Sequence, residues 1–142
     1  MEFGSNEYLE KVKEVTNGDK KYRDMIKNED ASYTFIIQAD PANGVGEDII
    51  IGYRLKNGEM SDIWKGERAT DFVISGKYQI WVDLLTGKQS VTSAFISRKL
   101  NIRGEFSRIL KMAGSTEYWL TLLRKIPTEF QGKYSSYNIK GN

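Results

Sequence analysis

The chain has 142 residues, 39% of them hydrophobic and 28% charged, with a formal net charge of +2, which is the size and composition of a single globular domain able to bury a core. It contains no histidine and no cysteine, and this removes the Ser-His-Asp triad, thiol nucleophiles, disulfides, thiolate zinc sites and cysteine-held iron–sulfur clusters. No run approaches the ~20 apolar residues that cross a bilayer, and the first residues lack the basic and apolar blocks of a leader, so the expectation is a cytoplasmic protein.

Met1-Glu2-Phe3-Gly4-Ser5 reads as translated restriction sites, a cloning scar to be set aside. Residues 6–127 form the expected domain, and residues 128–142 a polar, loosely ordered tail. Asn6 caps a first helix with Tyr8, Val12 and Val15 on one face and Leu9 beside them, and Asn17-Gly18 ends it. Asp19 opens a short second helix with Tyr22, Met25 and Ile26 inward. Residues 31–39 alternate as a strand, Tyr33, Phe35 and Ile37 against Ser32, Thr34, Ile36 and Gln38. In the loop that follows, Gly44-Val45-Gly46 is too short for a phosphate-binding turn. Residues 47–55 are a second strand with Ile49, Ile51, Tyr53 and Leu55 on one face, and Ile50 on the other marks it as covered on both sides. Asn57-Gly58 is a hairpin signal, because both central residues of a type I′ turn need positive φ. A third strand over residues 59–64, a turn at Lys65-Gly66-Glu67-Arg68 and a fourth strand over residues 69–75 complete an antiparallel meander.

Helices then dominate. Tyr78, Trp81, Val82 and Leu85 fall at i, i+3, i+4 and i+7, and Gly87 stands at the helix C′ position. Val91, Ala94 and Phe95 repeat part of that pattern, and residues 100–104 return to β. Phe106, Ile109, Leu110 and Ala113 make another face; Ser115, after Gly114, caps a last helix whose inward stripe is Trp119, Leu122, Leu123 and Ile126, and Pro127 stops it. The predicted fold is α+β: a five-stranded, mostly antiparallel sheet with helices on one face, able to hold an apolar ligand between the layers. Charge is uneven along the chain. Residues 98–142 carry nine Lys/Arg against three Asp/Glu, either a solvated basic surface or a face for anionic headgroups or an acidic partner. The aromatics sit on apolar faces and not among the basic residues, so nucleic acid is not expected as a partner.

Four segments occur in an order with a family likeness. They are Thr70-Asp71-Phe72-Val73-Ile74-Ser75-Gly76, Trp81-Val82-Asp83-Leu84-Leu85-Thr86-Gly87-Lys88, Ala94-Phe95-Ile96-Ser97-Arg98-Lys99-Leu100 and Asn101-Ile102-Arg103-Gly104. Together they resemble the sterol carrier protein type 2 family of lipid-binding domains, with Arg98 departing where many members have Gly. The resemblance implies an apolar tunnel between sheet and helices for a fatty acyl chain, sterol-like or isoprenoid lipid; it does not imply catalysis, and no cofactor or metal is expected. On that footing the expected sheet walls are Phe35, Ile37, Ile49, Ile51, Phe72, Ile74 and Ile102. The helical walls are Trp81, Leu84, Leu85, Phe95, Phe106, Leu110, Trp119 and Leu123, and Arg103, Arg108 and Lys99 are candidate headgroup anchors. All these apolar residues also suit an ordinary filled core, and aromatics as large as Trp81, Phe95, Phe106 and Trp119 are able to fill much of the space and leave a small pocket. Transient contact with a membrane surface is expected of a carrier. The alternative is an accessory module, a homodimer or a partner enzyme's companion, with Tyr118 and Leu120 of the last helix exposed as its contact surface. A carboxylate enzyme pairing Asp62 with Glu59 or Asp71 is a third class, and nothing in their spacing requires a shared site.

Overall fold

The computed structural model describes residues 1–141. Its elements are α1 (Asn6–Asn17), α2 (Lys20–Met25), β1 (Asp30–Gln38), β2 (Ile49–Lys56), β3 (Glu59–Lys65), β4 (Phe72–Lys77), α3 (Tyr78–Thr86), α4 (Val91–Ile96), β5 (Leu100–Arg103), α5 (Phe106–Lys111) and α6 (Ala113–Leu123). The five strands form one sheet in the order β3-β2-β1-β4-β5, with helices over the face that carries Tyr33, Phe35, Ile51, Tyr53 and Ile74. This is the α+β architecture expected.

The sheet is mixed, and its first four strands are not a meander. Asn57 and Gly58, at φ 53° and 76°, make the tight β2–β3 turn, but β4 leaves β3 and pairs in parallel with β1, Phe35 opposite Ile74. The physical reason is burial. Of β3 only Met60 is fully buried, which suits an edge strand, whereas β1 and β4 carry the denser apolar runs of interior strands. The crossing spans three strand spacings, about 14 Å. The six residues between β3 and β4 reach roughly 20 Å when extended.

Both chain ends belong to the fold, contrary to the sequence expectation. Phe3 is buried and packs edge-on against Tyr8, Tyr78 and Phe130, with ring centroids 5.5, 6.0 and 5.4 Å apart. Its amide donates to the Glu129 carbonyl at 2.9 Å, and the Glu129 amide to that of Met1 at 2.7 Å. Phe130 and Tyr134 are buried in turn, the latter on a 3₁₀ turn over Gly132–Tyr137. A few aromatics scattered through polar ends bury one another once the ends meet, and average polarity hides this. Two caps also move. The Ser5 hydroxyl, not Asn6, caps α1 by accepting from the Tyr8 amide at 3.2 Å, and α6 begins at Ala113, directly after Met112 ends α5, with no Ser115 cap.

Candidate functional site

Strand alternation turns every second residue of β1, β2 and β4 toward the helices, and the helices answer with their apolar stripes. Between the layers lies a hollow of about 90 Å³. Large rings narrow it: Phe35 lies 4.9 Å from Trp81 and 5.3 Å from Tyr53, centroid to centroid, and Tyr53 lies 5.3 Å from Trp119. The two indoles are pinned, Trp81 Nε1 donating to the Gly76 carbonyl at 3.1 Å and Trp119 Nε1 to Thr16 Oγ1 at 2.9 Å. No side chain bordering the hollow carries a charge; its polar atoms are those of tyrosines, tryptophans and one threonine, Thr116.

Ten expected wall residues border this hollow: Phe35, Ile37, Ile51, Ile74, Trp81, Leu84, Leu85, Phe95, Trp119 and Leu123. Five do not. Ile49 is buried but covered by the N-terminal segment, since a Cβ at Gly4 would meet its Cγ2 at 2.6 Å. Phe72 stacks on Tyr33 at 5.4 Å under the Arg108 guanidinium, and Ile102 is half-buried opposite Ile74 on β5. Phe106 and Leu110 are 48% and 38% exposed; the one-turn helix α5 turns only Ile109 inward, so its periodicity marks the wrong stripe. Missed wall residues include Tyr22, Tyr33, Tyr53, Ile63, Ile109 and Met112. Tyr33 and Tyr53 share strand faces with Phe35 and Ile51, and that alternation was the signal for them. Ile63 faces inward because β3 sets it opposite Tyr53, a register that the sequence does not state.

The candidate anchors lie outside the hollow. Lys99 Nζ donates to Gln89 Oε1 at 3.1 Å and Arg103 is exposed. Arg108 is half-exposed, 3.8 Å from Glu29 Oε2 and 5.2 Å above the Phe72 ring, next in sequence to the wall residue Ile109. Burial pushes the Tyr22, Tyr33 and Tyr53 hydroxyls well above their ordinary pKa, with Glu29 raising the first two further. They are neutral at physiological pH. The candidate carboxylates do not converge. Asp71 accepts from the Ser32 amide and hydroxyl at 2.8 and 3.2 Å, and Asp62 pairs with Arg68 at 3.3 Å, with β2 and β1 between their strands. Among the described residues no cluster of carboxylates has metal-holding geometry. The surface expected of an accessory module is also absent from its place: Leu120 is buried on the hollow, and the half-buried Tyr118 donates to Asp19 at 2.9 Å.

The family model described as the SCP-2 sterol transfer family matches residues 9–117. A crystal structure of sterol carrier protein 2 is similar at 18% identity and TM-score 0.77, covering 87% of this chain and 98% of that one. A possible sterol carrier protein from Thermus thermophilus is similar at 20% identity and TM-score 0.77, over 87% of this chain and 89% of that one. A palmitated SCP2L2 from Aedes aegypti, at 13% identity and TM-score 0.59, covers 78% of this chain and 92% of its own. No curated protein matches the sequence.

Proposed function

The chain belongs to the SCP-2 sterol transfer family, and from that premise we propose that it binds and transfers one hydrophobic ligand, a fatty acyl, isoprenoid or sterol-like lipid, without chemistry on it. One observation carries the reading: the interlayer hollow is bordered by apolar and aromatic side chains and by no charge. The palmitated relative supports an acyl chain as occupant. Each buried methylene is worth about 0.8 kcal/mol, so a sixteen-carbon chain gains roughly 12 kcal/mol before the costs of association. Half of that still gives a dissociation constant of roughly tens of micromolar, and about two thirds of it a micromolar one.

Size sets the mechanism. Pockets for small molecules run to about 300–1,000 Å³, several times the 90 Å³ of this hollow, so a wall must move aside as the chain enters. The wall most easily moved is the stretch from α4 to α5. These two helices have six residues each, against nine in α3 and eleven in α6, and α5 buries only Ile109. The ten bordering wall residues would line the widened cavity. Arg108, freed from Glu29, is the anchor best placed for a headgroup at the α5 end; Arg103 and Lys99 would act farther out.

The outer side of that same stretch suits an anionic bilayer surface. Ile96, Phe106 and Leu110 are exposed, and Arg98, Lys99, Arg103, Arg108 and Lys111 stand among them against Glu105 alone in that stretch. Apolar side chains that reach the acyl boundary inside a ring of cations favour a surface of anionic lipid. Such contact would bring the movable wall to the membrane that supplies the ligand. The test is displacement of a fluorescent acyl probe by fatty acid, isoprenoid and sterol, alongside sedimentation with phosphatidylserine and phosphatidylcholine vesicles. Micromolar displacement and salt-sensitive binding to the anionic vesicles alone are expected. Failure of every lipid to displace the probe contradicts the carrier reading.

A further inference from the structure

We propose that the hydroxyls of Tyr22, Tyr33 and Tyr53 form a polar subsite of the hollow that receives the uncharged oxygen of a ligand, an alcohol or a carbonyl, in preference to an ionised carboxylate. The inference rests on the carrier reading and names the polar end of the ligand that the hollow selects.

Three elements bring the rings together: α2 supplies Tyr22, β1 Tyr33 and β2 Tyr53. Tyr33 and Tyr53 are nearly parallel at 4.9 Å, and Tyr22 and Tyr53 both pack on Trp119, at 6.2 and 5.3 Å. All three are at least 95% buried and border the hollow. A buried tyrosine hydroxyl normally has a partner, and leaving one without a partner is costly. Here the protein provides almost none. Tyr33 donates only to the Met112 thioether, at 3.0 Å, a weak acceptor that a better one displaces. The side-chain hydrogen bonds at this cluster run from Tyr33 to Met112 and from Trp119 to Thr16, and neither ends on the Tyr22 or Tyr53 hydroxyl. The indoles on the same lining are already engaged with Gly76 and Thr16, and Tyr8 has Thr128. Unmet hydrogen-bonding capacity on this wall is therefore concentrated in one cluster.

Charge decides the ligand class. The hollow offers no cation of its own, and burying an ionised carboxylate without one is strongly unfavourable. The nearest cation, Arg108, lies outside the hollow and is paired with Glu29 at 3.8 Å, so an anion buried at the tyrosines finds no free cation beside it, and a neutral oxygen needs none. Because burial keeps the hydroxyls protonated, each can both donate and accept, which an alcohol uses in full and a carbonyl in part.

The test is competition for a fluorescent alkyl ester bound to the full chain, using dodecane, 1-dodecanol and dodecanoate at pH 8, in wild type, Tyr22→Phe, Tyr53→Phe and the double variant. In wild type, dodecanol is expected to outcompete dodecanoate at least tenfold. Each single variant weakens dodecanol about threefold to tenfold, the range of one hydrogen bond, while dodecane is unchanged. The variants unfold at the same urea concentration as wild type or higher, since they remove a hydroxyl that has no protein partner. Equal binding of dodecanoate and dodecanol, dodecanol affinity unchanged by the variants, or loss of dodecane and dodecanol together overturns the assignment. Dodecane bound by wild type without tyrosine-dependent dodecanol binding leaves the carrier reading standing. No competition by any of the three ends both.

Discussion

Arg98 sits at φ 60°, in the left-handed region that an L side chain enters only at a cost. It is the C′ residue of α4: the Lys99 amide donates to the Ala94 carbonyl at 2.9 Å and the Arg98 amide to that of Phe95 at 3.1 Å, the paired bonds of a Schellman cap. Gly87 closes α3 in the same way at φ 83°. The departure from the family pattern noted in the sequence therefore falls where glycine has a conformational reason to be. Arg98→Gly is expected to raise stability by up to about 1 kcal/mol, the relief of strain less the larger chain entropy of glycine, measured by urea unfolding. A loss of stability would mean that the Arg98 side chain holds the α4–β5 turn by contacts that outweigh its backbone strain. The candidate anchors show a limit at this scale: basic residues can be counted from a sequence, but only coordinates reveal that Glu29 already faces Arg108 and Gln89 already faces Lys99.

At the scale of elements, the C-terminal segment and the α4–α5 stretch behave in opposite ways. The segment is tied by Tyr134, whose hydroxyl donates to Asp40 Oδ2 at 2.6 Å while Asn43 Nδ2 donates to the same oxygen at 2.7 Å. Those bonds hold the Asp40 carboxyl below its usual value of 3.8. Its contribution to folding is complete above that value and is lost as pH falls through the lower folded one. Tyr134 is pushed up to about 12 by burial and by Asp40, so its share persists to ordinary tyrosine pH and fades only as pH rises through the folded value. NMR titration is expected to move the Tyr134 ring resonances in acid only below pH 3.8 in wild type, and Asp40→Asn to abolish that limb; movement centred above that pH would contradict the assigned bond. The α4–α5 stretch has few buried side chains and is expected to exchange its amides faster than α3 and α6, then slow on ligand binding; uniform protection across the four helices would remove it as the movable wall. Local pattern made most elements legible: the Asn57-Gly58 turn, the α3 and α6 stripes and the alternation of β1 each carry their own signal. Strand order was not, because the pairing of β4 with β1 is decided by which strands can be buried on both sides. The helix α5 failed for a related reason, since one turn of apolar residues has no preferred inward face until its neighbours pack.

For the whole molecule, a mixed five-stranded sheet under a helical layer, with both chain ends clasped across one side, encloses a small hollow and presents a basic, partly apolar surface beside it. No helix among the described residues is long and apolar enough to cross a membrane. Rings of Trp81, Trp119, Phe35 and Tyr53 fill much of the seam, and the carrier account requires them and the α4–α5 wall to yield about the width of one hydrocarbon chain. Their separations reflect packing that the apolar pattern alone could not distinguish from a solid core. Native mass spectrometry of the full chain mixed with a fatty acyl lipid and with its long-chain alcohol tests this most directly. A one-to-one complex is expected that survives transfer to the gas phase with either ligand held and a second copy excluded. A spectrum of bare protein at every ligand concentration, or a ladder of adducts without saturation, would contradict it.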